Sequence, residues 1–333
     1  LKKVLFIRFS SIGDIVLTTP VVRCVKKALE NTEIHYLTKA QYRPLLEANP
    51  NVDRIICIGN ESDLGSIIKV LEEEKYDFIV DLHRNFRSWG VIISLKRPFG
   101  TFSKLNIGKF ILCRFKIDLL PKIHIVDRYF QAVRRLGINN DGRGLDYFLP
   151  PGINPRIKIP DLPAEGYLVL AIGGKHATKQ LPWEKLLELC VLLEKPVVLL
   201  GGKEDEATAD YLIRNSQVST AVFPLYNTCG KLSLHESAAL IRDADQVITH
   251  DTGMMHIAAA FRKDIISIWG NTIPGFGMYP YFPADYEGES TIVEVKGLRC
   301  RPCSKLGYRR CPRGHFRCMM DIDLQAVVDP VRV

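Results

Sequence analysis

Twice along this chain of 333 residues, short apolar runs alternate with longer stretches whose apolar residues recur at helical spacing. Strands separated by helix-length segments imply βαβ units, and those imply parallel sheets with helices packed on their faces. The first series predicts strands over 4–8, 33–37, 54–58 and 78–82, with helices over 15–29, 42–48 and 64–74. The second predicts strands over 167–172, 197–200, 246–249 and 265–269, with helices over 183–193, 205–215, 234–243 and 254–261. Between them, 96–150 is less regular, with one amphipathic helix near 125–136. Leu149-Pro150-Pro151-Gly152-Ile153-Asn154-Pro155 is rich in helix and strand breakers and reads as a linker. The length suits two domains. The expected class is α/β, with two Rossmann-like halves, 1–152 and 153–333, facing each other across a cleft.

Ligands of such sheets bind outside the carboxyl ends of the strands. Two strand-to-helix loops therefore matter most. The first, Phe9-Ser10-Ser11-Ile12-Gly13-Asp14, has a single glycine. That argues against the Gly-x-Gly-x-x-Gly loop of dinucleotide binders, and so against NAD. Asp14 opens the first helix, where a carboxylate caps the helix or meets its dipole. The same place lowers its pKa and makes it a weak base in the ground state. Such a base can still serve a sugar hydroxyl, which becomes acidic only as its new bond forms. The second loop lies in Thr249-His250-Asp251-Thr252-Gly253-Met254-Met255-His256-Ile257-Ala258-Ala259-Ala260-Phe261. A glycine-bearing polar turn at a helix N-terminus gathers unpaired N–H groups, which is an anion site. Thr252 adds a hydroxyl, His256 a donor one turn along, and Asp251 an acceptor. An isolated Asp-Thr-Gly would read as an ordinary helix cap, with Asp251 or Thr252 as the N-cap.

Other strand-end segments carry further candidates. Lys179, with Lys175 as a competitor, lies after the first strand of the second half, where a lysine can neutralise a leaving diphosphate. Gly201-Gly202 is a second glycine turn. Ser233 and Glu236 form a capping box, Ser at the N-cap and Glu at N3. Arg84 and Arg87 follow the strand ending Asp81-Leu82, and guanidinium groups there suit an anionic acceptor.

The net charge of +8 also points to an anionic partner. Between Arg84 and Arg128 there are ten bases against two acids, interleaved with Phe86, Trp89, Phe99, Phe102, Phe110 and Phe115. That composition suits nucleic acid, an anionic membrane surface, or a solvated face. No apolar run is long enough to span a bilayer. Leu1 to Arg8 reads as a strand, not a signal peptide, and the expected location is the cytoplasm. Four of the nine cysteines, Cys300, Cys303, Cys311 and Cys318, fall within nineteen residues near the C-terminal end. Four thiolates can bind a structural zinc, with His315 as a substitute ligand, and reduced thiols without metal are the competing reading. Without metal the tail is expected to be a long loop toward the acceptor side.

The string Arg8-x-Ser-Ser-Ile-Gly-Asp-Ile-Val-Leu-Thr-Thr-Pro-Val and the string Asp-Thr-Gly-x-x-His-x-Ala-Ala from Asp251 resemble glycosyltransferase family 9, the lipopolysaccharide heptosyltransferases. The resemblance runs from Leu1 to about Asp323. It implies a GT-B architecture, with the acceptor on the first domain and the nucleotide-sugar donor on the second. The implied reaction is transfer of heptose from ADP-heptose, with inversion, to a lipid-linked anionic core oligosaccharide. The expected setting is the cytoplasmic face of the inner membrane, with peripheral contact. Asp14, beside Gly13, matches the family's proposed general base. The turn of Asp251, Thr252 and Gly253, together with His256 and Lys179, would hold the diphosphate. Glu236 would meet the donor ribose or merely cap its helix. The family's Lys-x-Trp-Pro is Lys-Gln-Leu-Pro here, from Lys179. No Asp-x-Asp metal signature is evident in a donor loop, so no cofactor is expected for catalysis. Alternatives are another nucleotide sugar, a non-catalytic binding relative, or a nucleic-acid binder, which the strand-end motifs disfavour.

Overall fold

A computed structural model describes residues 1–59, 64–216 and 223–331. The chain divides into two compact units. One comprises 1–104, 123–150 and 281–285, and the other 105–122, 151–280 and 286–333.

The first unit is built on a sheet of β1 (Lys3–Ile7), β2 (Glu33–Lys39), β3 (Arg54–Ile58), β4 (Phe78–Asp81) and β5 (Phe99–Thr101). The order is β3-β2-β1-β4-β5 and every pairing is parallel. Val4 to Ile7 and all of β4 are buried, as expected of strands covered on both faces. The helix expected over 15–29 is two helices, α1 (Ile12–Val16) and α2 (Thr19–Ala28). The break is forced by Pro20, which lacks an N–H and fits only the first turn of a helix. A 3-10 helix, Ala40–Leu45, replaces the helix expected over 42–48, and Pro44 lies inside it. Next comes α3 (Leu64–Glu73). The basic aromatic stretch then forms α4 (Phe86–Leu95), which the sequence pattern did not reveal. Asn85 caps it, accepting from Ser88 N at 2.9 Å, while Asn85 N donates to Ser88 Oγ at 2.9 Å. Its pattern is blurred because Phe86 is 97% exposed. In chain order α5 (Asn106–Phe115) follows, but it belongs to the second unit. α6 (Ile125–Tyr129) passes into a 3-10 helix, Phe130–Leu136.

The second unit's sheet comprises β6 (Leu168–Ala171), β7 (Val197–Leu200), β8 (Leu225–Asn227), β9 (Gln246–His250), β10 (Asp264–Trp269) and β11 (Ser290–Glu294). Its order is β11-β10-β9-β6-β7-β8, again all parallel. The helices are α7 (Trp183–Leu192), α8 (Glu206–Ser216), α9 (Leu234–Asp243), α10 (Gly253–Ala260), α11 (Arg317–Met320) and α12 (Gln325–Val328). Leu168, Leu170, Leu199, Ile248, Ile266 and Met319 share its buried core.

Each sheet reverses its order once, between β1 and β4 in the first unit and between β6 and β9 in the second. The loops leaving those four strands are the places where such sheets bind ligands.

Packing is close enough to test at one glycine. A methyl group on Gly100 of β5 would lie 1.8 Å from Ala132 O, a backbone atom. Gly100→Ala should therefore destabilise the protein by about 2 kcal/mol or more. Urea unfolding measures it, and wild-type stability in the variant would contradict the packing described.

Candidate active site

In the first unit the chemistry gathers where β1 and β4 end. Arg8 follows β1 and is almost fully buried. Its Nη2 lies 2.5 Å from Asp14 Oδ1. Its Nη1 donates to Leu82 O at 2.5 Å and to the Tyr129 hydroxyl at 3.1 Å, and its Nε donates to Ser10 O at 2.7 Å. One guanidinium thus ties together the ends of both strands and the helix that bears Asp14. Asp14 is the third residue of α1, not its N-cap, and Gly13 is buried beside it. Its other oxygen accepts from Ser11 N at 3.1 Å and from Ser11 Oγ at 2.8 Å. Burial alone would raise its pKa. Arg8 and the two Ser11 donors outweigh burial and hold it below the usual carboxylate value. The side chain remains 23% exposed.

The loop after β4 is set by Asp81, which is fully buried. Its carboxylate accepts from His83 N at 2.9 Å, Arg84 N at 2.8 Å and Ser88 Oγ at 2.9 Å. Arg84 adopts a left-handed backbone with φ 51° and donates from Nη1 to Phe102 O at 2.8 Å. Arg84 is exposed and Arg87 half-buried. Burial, then the charges of Arg8 and Lys104, push His83 down to about 3, so its ring is neutral beside Asp14's partner. Sequence reasoning missed Arg8 and His83 as site residues. The place of Arg8 directly after a buried strand was the available signal.

In the second unit the loops after β6 and β9 meet. Lys179 ends a short 3-10 turn, Ala177–Lys179, and its Nζ lies 2.5 Å from Asp251 Oδ2. The same oxygen accepts from Thr272 Oγ1 at 2.8 Å. Lys179, not the exposed Lys175, therefore reaches the turn. Thr252 is the N-cap of α10 and Gly253 its first residue. The Thr252 side chain makes no capping hydrogen bond among the described residues. The first-turn N–H groups consequently remain without that cap, and the positive end of the helix dipole points past Gly253. His256, expected as a further donor at the turn, is 2% exposed. Just before the turn, the buried His250 accepts from Leu181 N at its Nε2 (3.0 Å), and burial lowers its pKa to about 4.

The glycine turns after β6 and β7 press together. A methyl group on Gly173 would fall 2.4 Å from Asp205 Oδ2 and 3.0 Å from Gly201 Cα. Asp205 Oδ2 accepts from Gly202 N at 2.8 Å, and burial raises its pKa. Glu236 is the third residue of α9 and accepts from Ser233 N at 2.7 Å, so the capping box is present. It also pairs with Lys158 at 2.8 Å. α9 begins at the carboxyl side of β8, the edge at which such sheets bind ligands.

The four cysteines of the tail form no disulfide. Among the described residues no three His, Cys, Asp or Glu side chains gather as a metal ligand set. Cys318 lies in the apolar core, where burial pushes its thiol up to about 12. Burial also pushes Cys303 up to about 11, and its Sγ donates to Cys300 O at 3.0 Å. Cys300 and Cys311 are half-buried. Cys300, Cys303 and Cys311 nonetheless lie near enough to Cys318 to bear on its thiol, so the four residues of the expected zinc set share one neighbourhood. The tail, 286–333, belongs to the second unit and packs on Thr178 and Asn271. Lys116, one of the expected acceptor bases, donates instead to Cys300 O at 3.1 Å and Pro302 O at 2.6 Å.

Two all-parallel sheets, each with polar loops at its point of reversal, are the architecture of GT-B glycosyltransferases. The family model described as glycosyltransferase family 9 (heptosyltransferase) matches residues 64–307, and the chain belongs to that glycosyltransferase family. It is similar to lipopolysaccharide heptosyltransferase 1 of Pseudomonas aeruginosa, with 24% identity over 96% of this chain and 91% of that one. The structure of Escherichia coli ADP-heptose LPS heptosyltransferase II matches with a TM-score of 0.71 at 20% identity, covering 98% of this chain and 97% of that one. An E. coli heptosyltransferase with ADP-2-deoxy-2-fluoro heptose matches at 0.65 and 20% identity, covering 89% and 94%.

The lowered pKa of Asp14 has a stability consequence. A carboxylate depressed on folding contributes fully above its unfolded value and loses that contribution as pH falls through its folded value. Below about pH 4, wild type should therefore lose stability that Asp14→Asn lacks at every pH. Melting curves from pH 7 to pH 2 should converge for the two proteins. A difference that stays constant down to pH 2 would contradict the shift.

Proposed function

We propose that this enzyme transfers heptose from ADP-heptose, with inversion, to the anionic inner core of a lipid-linked lipopolysaccharide. The observation that carries the reading is the Lys179–Asp251 pair, set at the open N-terminus of α10. A cation, a helix dipole and free N–H groups converge on the loop where such a sheet holds a nucleotide diphosphate. The names of the relatives supply the sugar and the acceptor.

In this reading the acceptor hydroxyl oxygen attacks the anomeric carbon. The carbon–oxygen bond to the diphosphate breaks, and its electron pair leaves on ADP. Asp14 takes the hydroxyl proton. Arg8 keeps that carboxylate ionised, and the proton moves only as the new bond makes the hydroxyl acidic. Lys179, Thr252 and the N–H groups of Gly253 and Met254 meet the charge that builds on the leaving diphosphate, so the step is drawn without a metal. Glu236, at the start of α9, reaches the donor ribose. His256, buried in α10 one turn along, belongs to the same diphosphate-holding turn.

Arg84 and Arg87 hold the acid groups of the acceptor. No helix among the described residues is long and apolar enough to cross a membrane. A peripheral contact with the inner membrane fits α5, where Ile107, Phe110 and Phe115 are exposed alongside Arg114.

Asp14→Asn should lower turnover by roughly a hundredfold or more while the ADP affinity changes little. Steady-state transfer assays and calorimetry test both halves, and wild-type turnover would remove Asp14 from the mechanism. Reversing Arg84 and Arg87 to Glu should raise the acceptor KM at low salt, with a smaller effect at high salt because exposed charges are screened. An unchanged acceptor KM at low salt would take the two arginines out of the acceptor site.

A further inference from the structure

The cysteine-bearing tail fixes both segments that frame the Lys179–Asp251 pair. Thr178 immediately precedes the lysine and is 2% exposed. Thr178 N donates to Tyr308 O at 3.2 Å, and Tyr308 N donates back to Thr178 Oγ1 at 2.8 Å. Thr178 Oγ1 in turn donates to Asn271 Oδ1 at 3.1 Å. Asn271 N reaches Thr178 O at 3.3 Å, and Cys303 N reaches Asn271 O at 3.2 Å.

Arg301 holds the other segment. Its side chain is 6% exposed. Its Nε donates to Gly270 O at 2.5 Å, and its Nη2 donates to Thr272 O at 2.9 Å and to Glu294 Oε2 at 2.6 Å. Thr272 is the residue whose hydroxyl donates to the Asp251 carboxylate. The tail thus anchors the backbone at the root of Lys179 and, through Thr272, the counter-charge at its tip. At Gly307, where φ is +125°, a methyl group would come 2.5 Å from His176 Cβ, just before the lysine's turn.

We infer that residues 300–308 form a strap whose Arg301 and Tyr308 clasps position Lys179 toward the donor's diphosphate. Arg301 and Thr178 are positioning residues for that contact. The inference rests on the donor reading of Lys179 given above. Its physical basis is preorganisation. A lysine has a flexible four-carbon stem, and freezing it on binding costs affinity. A fixed backbone root and a fixed carboxylate hold the ammonium in place before the anion arrives. The planar fork of Arg301 suits this task because it pins carbonyls of two neighbouring residues with directed bonds.

The test is calorimetric titration of ADP into the full chain and its variants, each checked by its melting curve. Thr178→Val keeps the shape of the side chain and removes the hydroxyl, and it should weaken ADP binding about tenfold. Thr178→Ser should restore near-wild-type affinity. Arg301→Lys keeps the charge, loses the fork, and should weaken ADP severalfold with the acceptor KM unchanged. In a Lys179→Ala background, Thr178→Val should add less than about twofold, because the strap acts through that lysine. Should Thr178→Val fail to fold, Arg301→Lys in the two backgrounds carries the same comparison. Wild-type ADP affinity in Thr178→Val and Arg301→Lys, or fully additive losses with Lys179→Ala, would overturn the strap. Unchanged affinity in Lys179→Ala alone would instead overturn the donor reading on which it rests.

Discussion

Parallel pairing is the constraint on which the rest of this molecule depends. A strand that pairs parallel to its neighbour must be followed by a crossover that returns the chain to the same edge. Every turn that leaves the carboxyl end of a strand therefore emerges on one edge of its sheet. Where the strand order reverses, two consecutive connections diverge to opposite sides and open a space between them. In the first unit that space lies between the turns after β1 and β4, and in the second between those after β6 and β9. Arg8 and Asp14 lie in the segment leaving β1, Lys179 in the one leaving β6 and Asp251 in the one leaving β9. That Lys179 meets Asp251 across 72 residues of chain follows from the topology of the second sheet.

Each unit then places one cation against one carboxylate, with opposite emphasis. In the first, the cation is the buried partner. Arg8 is locked by carbonyls and a tyrosine hydroxyl, and Asp14 keeps the exposed face. The carboxylate is the group offered outward, held ionised by a charge that cannot leave. In the second, the carboxylate is the anchored member, with Thr272 and Lys179 on one oxygen. There the lysine ammonium reaches both the carboxylate and the main-chain carbonyl of Asp251, at 2.5 and 3.4 Å.

Much of this was legible in the sequence because it rests on local periodicity. Buried strands such as 54–58 and 197–200 stand out as apolar runs bounded by breakers, and both match β3 and β7 at each end. The helix starting at Leu234 was readable from the Ser233–Glu236 box. The misses share a cause. α4 and α5 carry exposed Phe86, Ile93, Ile107 and Phe110, so their apolar residues do not trace one buried stripe. β5, β8 and β11 are edge or near-edge strands with few fully buried residues, which weakens their signal. Within the sites, strand-end position marked Asp14, Lys179 and Asp251. Arg301 and Thr178 were invisible, because their meaning depends on tertiary contacts, across 29 and 31 residues of chain for Arg301 and 130 for Thr178.

The division of the chain into units also bears on modularity. The polypeptide passes from one unit to the other five times, at 104/105, 122/123, 150/151, 280/281 and 285/286. Tyr281, far along the chain, stacks on His124 with ring centroids 4.5 Å apart and donates to Asp127 at 2.8 Å, all inside the first unit. Shuffling of halves at the Pro150–Pro151 junction would therefore hand each product a sheet that lacks a piece of its own packing. In recombination among relatives, a whole half has to travel together with segments encoded in the other.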